Sequence, residues 1–285
     1  MPIAVIALDL DPFLRLGDLA VRWQTVALAI LLTAAIGVAG VIGRRARFRV
    51  DDLLYILVGA VPGAVIGGRI GYAIIAPEAF AGGPLALADP AIGGLELGLG
   101  VAGGVASGTV VAAFLGAPVR WWADRLAVVL VLVLAGGKAA MALGGSGQGA
   151  LSDATWATAY LGAGPWGTVA ADLPSHPAQL YEALGAVAVA IAVAVAASTG
   201  AFRDRDGSRL FVAIAGWAGV RALVSVTWRD PASIGPLPNG GVLALVIALG
   251  ALLGLAAVAL WLPRRSARGH GVEPSWPDPG SRPRF

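Results

Sequence analysis

The chain has 285 residues, of which 58% are hydrophobic and 13% are charged, and its formal net charge is +3. Because a soluble domain carries about a quarter charged residues, this composition excludes a water-soluble globule and predicts a protein that lies in lipid. The absence of cysteine and the presence of only two histidines exclude disulfides, thiolate catalysis and metal clusters, so we expect no cofactor, no metal and, with so small a net charge, no nucleic-acid partner.

Seven apolar runs are long enough to cross a hydrocarbon core of about 30 Å. In chain order they cover residues 23–42, 53–75, 95–115, 126–143, 181–198, 210–228 and 241–262. We predict one helix for each run, so the expected fold class is an all-α polytopic membrane protein. The longest connection, residues 144–179, carries Trp156, Tyr160 and Trp166, which we expect at the headgroup level.

Basic residues follow every second span, and cytoplasmic loops are the ones that collect Lys and Arg. Fourteen of the 20 basic residues fall in these connections: Arg44, Arg45, Arg47, Arg49, Arg120, Arg125, Arg203, Arg205, Arg209, Arg264, Arg265, Arg268, Arg282 and Arg284. The pattern predicts that the N-terminus is outside and the C-terminus is in the cytoplasm. We expect residues 1–262 to form one transmembrane domain and residues 263–285 to form a disordered cytoplasmic tail.

Three cations fall inside or at the end of a predicted span, namely Arg69, Lys138 and Arg221. Each costs about 2.5–3.5 kcal/mol on insertion scales. They could reach an interface or pair with Glu96 or Glu182, the only acids near the spans. We expect at least one of them to lack a fixed protein partner and to bind an anion such as a phospholipid phosphate.

Two short motifs place polar groups near one end of the spans. The first, GGRIGY, surrounds Arg69 with glycines, which either leave room for a headgroup or serve helix packing alone. The second, HPAQLYE, opens the fifth span, and Pro177 fits the first turn of a helix there. It places His176, Gln179, Tyr181 and Glu182 within about two turns. These residues either form a catalytic group or serve only as a helix cap with a tyrosine that anchors the helix at the membrane interface.

With these motifs the sequence resembles the prolipoprotein diacylglyceryl transferase family. HPAQLYE is close to that family's His-Pro-x-Gln-Leu-Tyr-Glu signature, and GGRIGY matches its Gly-Arg-(Leu/Ile)-Gly-Tyr segment. Further matches fall in family order and cover most of residues 10–262: Asp11-Pro12, Val21-Arg22-Trp23, Asp51-Asp52-Leu53-Leu54, Gly93-Gly94, Arg221 and Arg229-Asp230-Pro231.

The resemblance implies an enzyme of the bacterial cytoplasmic (inner) membrane that moves diacylglyceryl from phosphatidylglycerol to the lipobox cysteine of a prolipoprotein. Membrane lipid and the lipobox segment are then the expected partners. The implied catalytic residues are Arg221, His176 and Lys138. The implied substrate-binding residues are Arg69, Tyr72, Gln179, Tyr181 and Glu182.

The chain departs from the family pattern at several polar positions. Gly98 stands where the family has a histidine, and Lys138 stands where it has an arginine. Other expected polar groups are replaced by Gln24, Met141, Gly144, Ser146 and Ser225. Glu96 precedes Gly98 by two residues, and on a regular helix it would point about 200° away from that position. These departures leave open a homologue that binds or presents a phospholipid without transfer. The charges inside the spans leave open a second alternative, a small transporter.

Overall fold

Seven helices make up most of the computed structural model, which describes residues 6–45, 50–89, 91–203 and 206–261. They are α1 Trp23–Arg45, α2 Val50–Ile75, α3 Leu97–Phe114, α4 Val119–Leu143, α5 Ala178–Ser198, α6 Ser208–Val224 and α7 Asn239–Trp261. By length and composition seven helical segments can cross a membrane, with a 3₁₀ turn at Ser225–Thr227 extending α6. The predicted multi-pass helical membrane protein is therefore confirmed.

The helices are joined at one end by a layer that we call the cap, made of residues 6–22, 76–89, 91–96, 144–177 and 225–238. Its strands are β1 Ile6–Leu8, β2 Phe13–Leu16, β3 Leu19–Arg22, β4 Thr158–Tyr160, β5 Ala232–Ile234 and β6 Leu237–Pro238. β1 pairs in parallel with β4, while β2–β3 and β5–β6 are antiparallel hairpins. None of these strands was predicted, because two to four residues are too few to give a period-two pattern.

Glycines allow α2 and α3 to pack closely. A Cβ atom built on Gly63 would overlap the carbonyl oxygen of Gly103, and one built on Gly103 would overlap the carbonyl of Gly63. One turn further on, a Cβ on Gly67 would overlap the carbonyl of Leu99. Backbones approach this closely only where side chains are absent. The two helices therefore form a tight hairpin, and their contacts with α1, α4 and α7 are few.

The core of the remaining bundle lies between α4, α5 and α6. Small side chains such as Ala127, Ala186 and Ala218 are almost fully buried there, and Trp217 fills the space among them. Small residues let the helix axes approach closely. Helices in a bilayer associate through such close van der Waals packing, because the hydrophobic effect does not drive them together in lipid.

The described basic residues agree with the predicted grouping on one side. Arg44 and Arg45 end α1, Arg120 and Arg125 lie in the first turns of α4, and Arg203 joins α5 to α6. All of these positions lie at the helix ends opposite the cap. The orientation of the termini stays a prediction, and the expected disordered tail lies outside the described residues.

Replacing Gly103 by valine will separate α2 from α3, because the added side chain meets backbone atoms of Gly63 that cannot move aside. We expect a loss of about 1–3 kcal/mol in unfolding free energy, the usual effect of overpacking. Thermal or denaturant unfolding in detergent measures it. Gly250→Val on α7 is the matched control, since nothing lies within 4 Å of its added Cβ; equal stability of the two variants would contradict the packing argument.

Candidate functional site

Four charged side chains form a buried network at the cap ends of the helices. Lys138 Nζ donates a hydrogen bond of 2.9 Å to Glu182 Oε1, and Arg221 Nη1 donates one of 2.9 Å to Glu182 Oε2. Arg221 Nη2 donates a longer bond of 3.3 Å to Glu96 Oε1. Glu96 and Glu182 are each 3% exposed and Arg221 is 7% exposed. Two positive and two negative groups make the network formally neutral.

The network lies close to the level where the helices meet the cap. Lys138 is within the last two turns of α4, Glu182 is within the first two turns of α5, and Arg221 is in the last turn of α6. Both cations inside the network have carboxylate partners, and Arg69 has carbonyl partners. The expectation that at least one cation lacks a fixed protein partner is therefore wrong.

One edge of the Arg221 guanidinium is incompletely hydrogen-bonded. Its Nε atom is buried and has no hydrogen-bond acceptor among the described residues. Nε and Nη2 lie on the same edge of the planar group, and Nη2 makes only the long bond to Glu96. One face of the guanidinium lies over the ring of Trp228, with Cζ 4.7 Å from the ring centroid. Two parallel N–H groups on one edge are the arrangement that binds a phosphate or carboxylate in a bidentate manner.

Glu96 reaches Arg221 because it precedes α3 and does not belong to its helical turns. Its backbone is extended, with φ −81° and ψ 130°, and its carboxylate caps the helix by accepting from the amides of Gly98 (2.8 Å) and Leu99 (2.7 Å). Both carboxylate oxygens lie 3.2 Å from the position of a Cβ atom on Gly98. The 200° separation applies only to a regular helix through residue 96, and that condition is not met because α3 begins at Leu97 and Glu96 is extended.

Arg69 is saturated by main-chain carbonyl groups. Its Nε, Nη1 and Nη2 atoms donate to the carbonyl oxygens of Leu87 (2.9 Å), Ile92 (2.5 Å), Gly94 (3.4 Å), Ala86 (2.9 Å) and Asp89 (2.9 Å). These bonds use every N–H group of the guanidinium. Arg69 thereby fastens residues 86–94 of the cap to α2, and its predicted role in binding substrate stays a prediction.

Tyr72 supports the same segment of the cap one turn further along α2. Its ring packs edge-on against Phe80, with centroids 5.9 Å apart. Gly93 lies directly against the ring and has a positive φ of 65°. A Cβ atom there would overlap Tyr72, so both space and backbone conformation require glycine. This packing fixes the path of the backbone just before Glu96, and so it helps to position the Glu96 side chain.

The HPAQLYE motif divides into two groups with different surroundings. His176 lies just before α5, as predicted, and its Nδ1 atom is 3.3 Å from the hydroxyl of Tyr181, which accepts a 2.6 Å hydrogen bond from Trp156 Nε1. Glu182 belongs instead to the buried network. Within the described residues, no hydrogen bond or ion pair joins His176 to Arg221 or Lys138.

Gln179 lies one turn before Glu182 on the same face of α5 and is 1% exposed. Its Nε2 atom donates a 3.1 Å bond to the hydroxyl of Tyr160, while its Oε1 atom is buried with no donor among the described residues. Burial raises the pKa of Tyr160, so this phenol stays protonated at neutral pH. Tyr160 is 1% exposed inside the cap, so its ring is covered by protein, and its expected depth at the headgroup level stays a prediction.

Sequence reasoning had given no role to Arg229, which lies in the α6–α7 connection and links it to the α4–α5 connection within the cap. It donates to the carbonyls of Gly149 (2.7 Å) and Val169 and to the side chain of Ser175 (2.9 Å). An arginine flanked by Asp230 and Pro231 in a connecting segment gave no signal of these partners. The structure thus brings Lys138, Glu182 and Arg221 together. His176 and Arg229 lie in the cap, and Arg69 holds a cap segment from its position on α2.

Comparisons with known proteins agree in pointing to one family. A family model described as prolipoprotein diacylglyceryl transferase matches residues 12–257. The phosphatidylglycerol–prolipoprotein diacylglyceryl transferase of Paramagnetospirillum magneticum is 31% identical over 273 residues, covering 91% of this chain and 96% of the relative. Proteins of the same name from Gluconobacter oxydans and Methylocella silvestris are each 28% identical, and the alignments cover 91% and 94% of this chain and 95% and 99% of those relatives.

Replacing Glu182 by glutamine will destabilise the fold, because it leaves the buried charges of Lys138 and Arg221 with only Glu96 nearby. Breaking a buried pair in this way costs about 3–5 kcal/mol. Adding Lys138→Met to Glu182→Gln should recover part of the loss, which a double-mutant cycle in detergent measures. Glu78→Gln, an exposed change in the cap, is the control. Fully additive effects of the two substitutions would refute the pairing.

Proposed function

The chain belongs to the prolipoprotein diacylglyceryl transferase family, and we propose that it transfers the diacylglyceryl group of phosphatidylglycerol to the lipobox cysteine of a prolipoprotein. In this reaction a carbon–sulfur bond forms, and the bond between the diacylglyceryl carbon and the phosphate oxygen breaks. Glycerol phosphate leaves with the negative charge, and the thiol gives up its proton. The site must therefore bind a phosphate whose charge increases as the bond breaks.

The incompletely hydrogen-bonded edge of Arg221, formed by Nε and Nη2, is the observation that carries this proposal. Its buried Nε atom lacks an acceptor among the described residues, and Nη2 makes only the 3.3 Å bond to Glu96. A buried unsatisfied donor in a native structure calls for an explanation. A lipid phosphate on this edge would accept hydrogen bonds from both N–H groups. These bonds would become stronger as the negative charge of the phosphate increases in the transition state.

The headgroup glycerol accounts for a second unsatisfied atom. Gln179 Oε1 is a buried acceptor without a donor among the described residues, and it lies one turn from Glu182 on α5. A hydroxyl group of the glycerol can donate to this oxygen. An orphaned donor on Arg221 and an orphaned acceptor on Gln179 together match a ligand that carries both an anionic phosphate and a hydroxyl.

The remaining candidate residues take supporting parts in the proposal. Lys138 adds a second positive charge beside Glu182 and stabilises the leaving phosphate. His176 and Tyr181, linked to Trp156 at the cap surface, shape the approach of the lipobox segment. Arg69 and Tyr72 act through the cap segment that they hold, which ends at Glu96.

A phospholipid-binding homologue without transfer is the second candidate. Position 98 has no side chain that could take the thiol proton, and the Glu96 carboxylate beside it already accepts two backbone amides and bonds Arg221. Retention of phosphatidylglycerol by the purified protein, with no diacylglyceryl transfer to a lipobox peptide, would favour this candidate.

Replacing Arg221 by lysine will remove the bidentate edge while it keeps the charge. We expect transfer to a lipobox peptide to fall by about 10²–10³-fold, measured with phosphatidylglycerol as donor. His176→Ala should cause a smaller loss, since His176 lies in the supporting cap. Arg15→Lys in the exposed β2–β3 hairpin is the matched control. A larger loss of transfer in His176→Ala than in Arg221→Lys would indicate that the reaction takes place near His176 and not at the buried network.

We also place the protein in the bacterial cytoplasmic (inner) membrane, with the cap outside and the opposite ends of the helices in the cytoplasm. The grouping of the described arginines at those opposite ends supports this orientation. It also fits a site that meets its prolipoprotein at the outer surface.

Because the chain has no cysteine, single introduced cysteines can test the orientation. Val169→Cys changes an 84% exposed side chain in the cap, and Ala201→Cys changes an exposed position between α5 and α6. We expect an impermeant maleimide to label the first in intact spheroplasts and the second only after permeabilisation. The reverse pattern would invert the proposed orientation.

A further inference from the structure

Glu96 bonds Nη2, one of the two nitrogen atoms on the edge of Arg221 that the lipid phosphate requires. Its bond to Nη2 is 3.3 Å, against 2.9 Å for each bond that Glu182 makes in the network. Its other bonds are shorter, 2.8 Å and 2.7 Å to the amides of Gly98 and Leu99. Glu96 is therefore held mainly by the start of α3 and only secondarily by Arg221.

The charges of the network point to competition at this edge. Lys138, Arg221, Glu96 and Glu182 sum to zero formal charge, so in this state the site holds no excess positive charge for an anion. A phosphate can gain the Nε–Nη2 edge of Arg221 only if a carboxylate gives it up. Glu182 is held by two cations, whereas Glu96 has the longer bond and a second set of partners.

Glu96 also has a place to which it can withdraw. The N-terminus of α3 presents amide groups and the positive end of the helix dipole, which stabilise a carboxylate without help from Arg221. The Glu96 carboxylate already accepts from the amides of Gly98 and Leu99, so it needs no new space when its bond to Arg221 breaks. If the carboxylate of Glu96 leaves Arg221, its negative charge is therefore still stabilised by the backbone amides at the start of α3.

We propose that Glu96 is an internal competitor for the phosphate of the lipid substrate, paired with Arg221 in the resting site and released to the N-terminus of α3 when the phosphate binds. This inference rests on the proposed function, since it takes the lipid phosphate to be the ligand of Arg221. It makes Glu96 a residue that sets the affinity for the anionic headgroup. Glu96 acts through Arg221 and is a positioning residue.

Two substitutions separate this role from helix capping. Glu96→Ser removes the carboxylate from Arg221 but keeps a favourable capping side chain. Glu96→Asp keeps both the charge and the cap but is one methylene too short to reach Arg221 as well. Glu78→Ser removes a negative charge from an exposed position in the cap and is the matched control.

The experiment measures KM for phosphatidylglycerol, kcat for transfer to a lipobox peptide, and binding of glycerol phosphate to the purified full chain. We expect Glu96→Ser to lower KM and the Kd of glycerol phosphate roughly tenfold, the effect of removing one competing charge-assisted hydrogen bond. Glu96→Asp should lower both by a smaller factor. Glu78→Ser should change neither, and kcat should change less than KM.

The outcomes separate this inference from the proposed function. If the wild-type chain transfers diacylglyceryl while KM and Kd stay unchanged or rise in folded Glu96→Ser and Glu96→Asp, Glu96 is a fixed structural partner and the inference is overturned. If no variant transfers but glycerol phosphate binds more tightly to Glu96→Ser, the transferase proposal fails and the competition stands. Should Glu96→Ser fail to fold, unchanged or weaker binding by Glu96→Asp would overturn the inference alone.

Discussion

The rest of the site depends on the buried carboxylate of Glu182, which holds α4, α5 and α6 in register by binding Lys138 and Arg221. A single carboxylate between two cations satisfies groups that are costly to place within a membrane. Glu182 bonds only the Nη1 atom of Arg221 and leaves the Nε–Nη2 edge to other partners. The contact between Glu182 and Arg221 therefore both neutralises the buried charge and leaves an edge for a ligand.

The cap and the α2–α3 hairpin add the fourth member of the network. Close glycine packing makes α2 and α3 one unit, and Arg69 and Tyr72 fix the segment that enters α3. Glu96 stands at the end of this segment, so its carboxylate joins the hairpin to the α4–α6 bundle. Because contacts between the two units are otherwise few, this ion pair is one of the links between them.

Apolar runs predicted all seven helices, because crossing a bilayer requires a length and composition that are visible in one dimension. The family motifs likewise selected Lys138, Glu182 and Arg221, which the structure brings together. The sequence offered pairing with Glu96 or Glu182 as one alternative, but which cation pairs with which carboxylate could not be predicted, since it depends on which helices are neighbours. Glu96 was misjudged for a local reason, as its direction depends on whether α3 begins before or after it. The cap strands gave no signal because each has only two to four residues, and β1 also pairs with a strand that is distant in sequence.

The bonds of Arg69 have a consequence for how such chains diverge. All of its hydrogen bonds go to main-chain carbonyl oxygens, those of Ala86, Leu87, Asp89, Ile92 and Gly94. These bonds therefore place no demand on the side chains of the loop that contains these residues. Its aromatic contact is with Phe80, which precedes them. Mutations in most of that loop can accumulate without disturbing its anchor. Lysine has only three donors on a compact ammonium and could not replace the anchor itself. Among descendants of a common ancestor, a constant arginine should face a loop whose own residues drift.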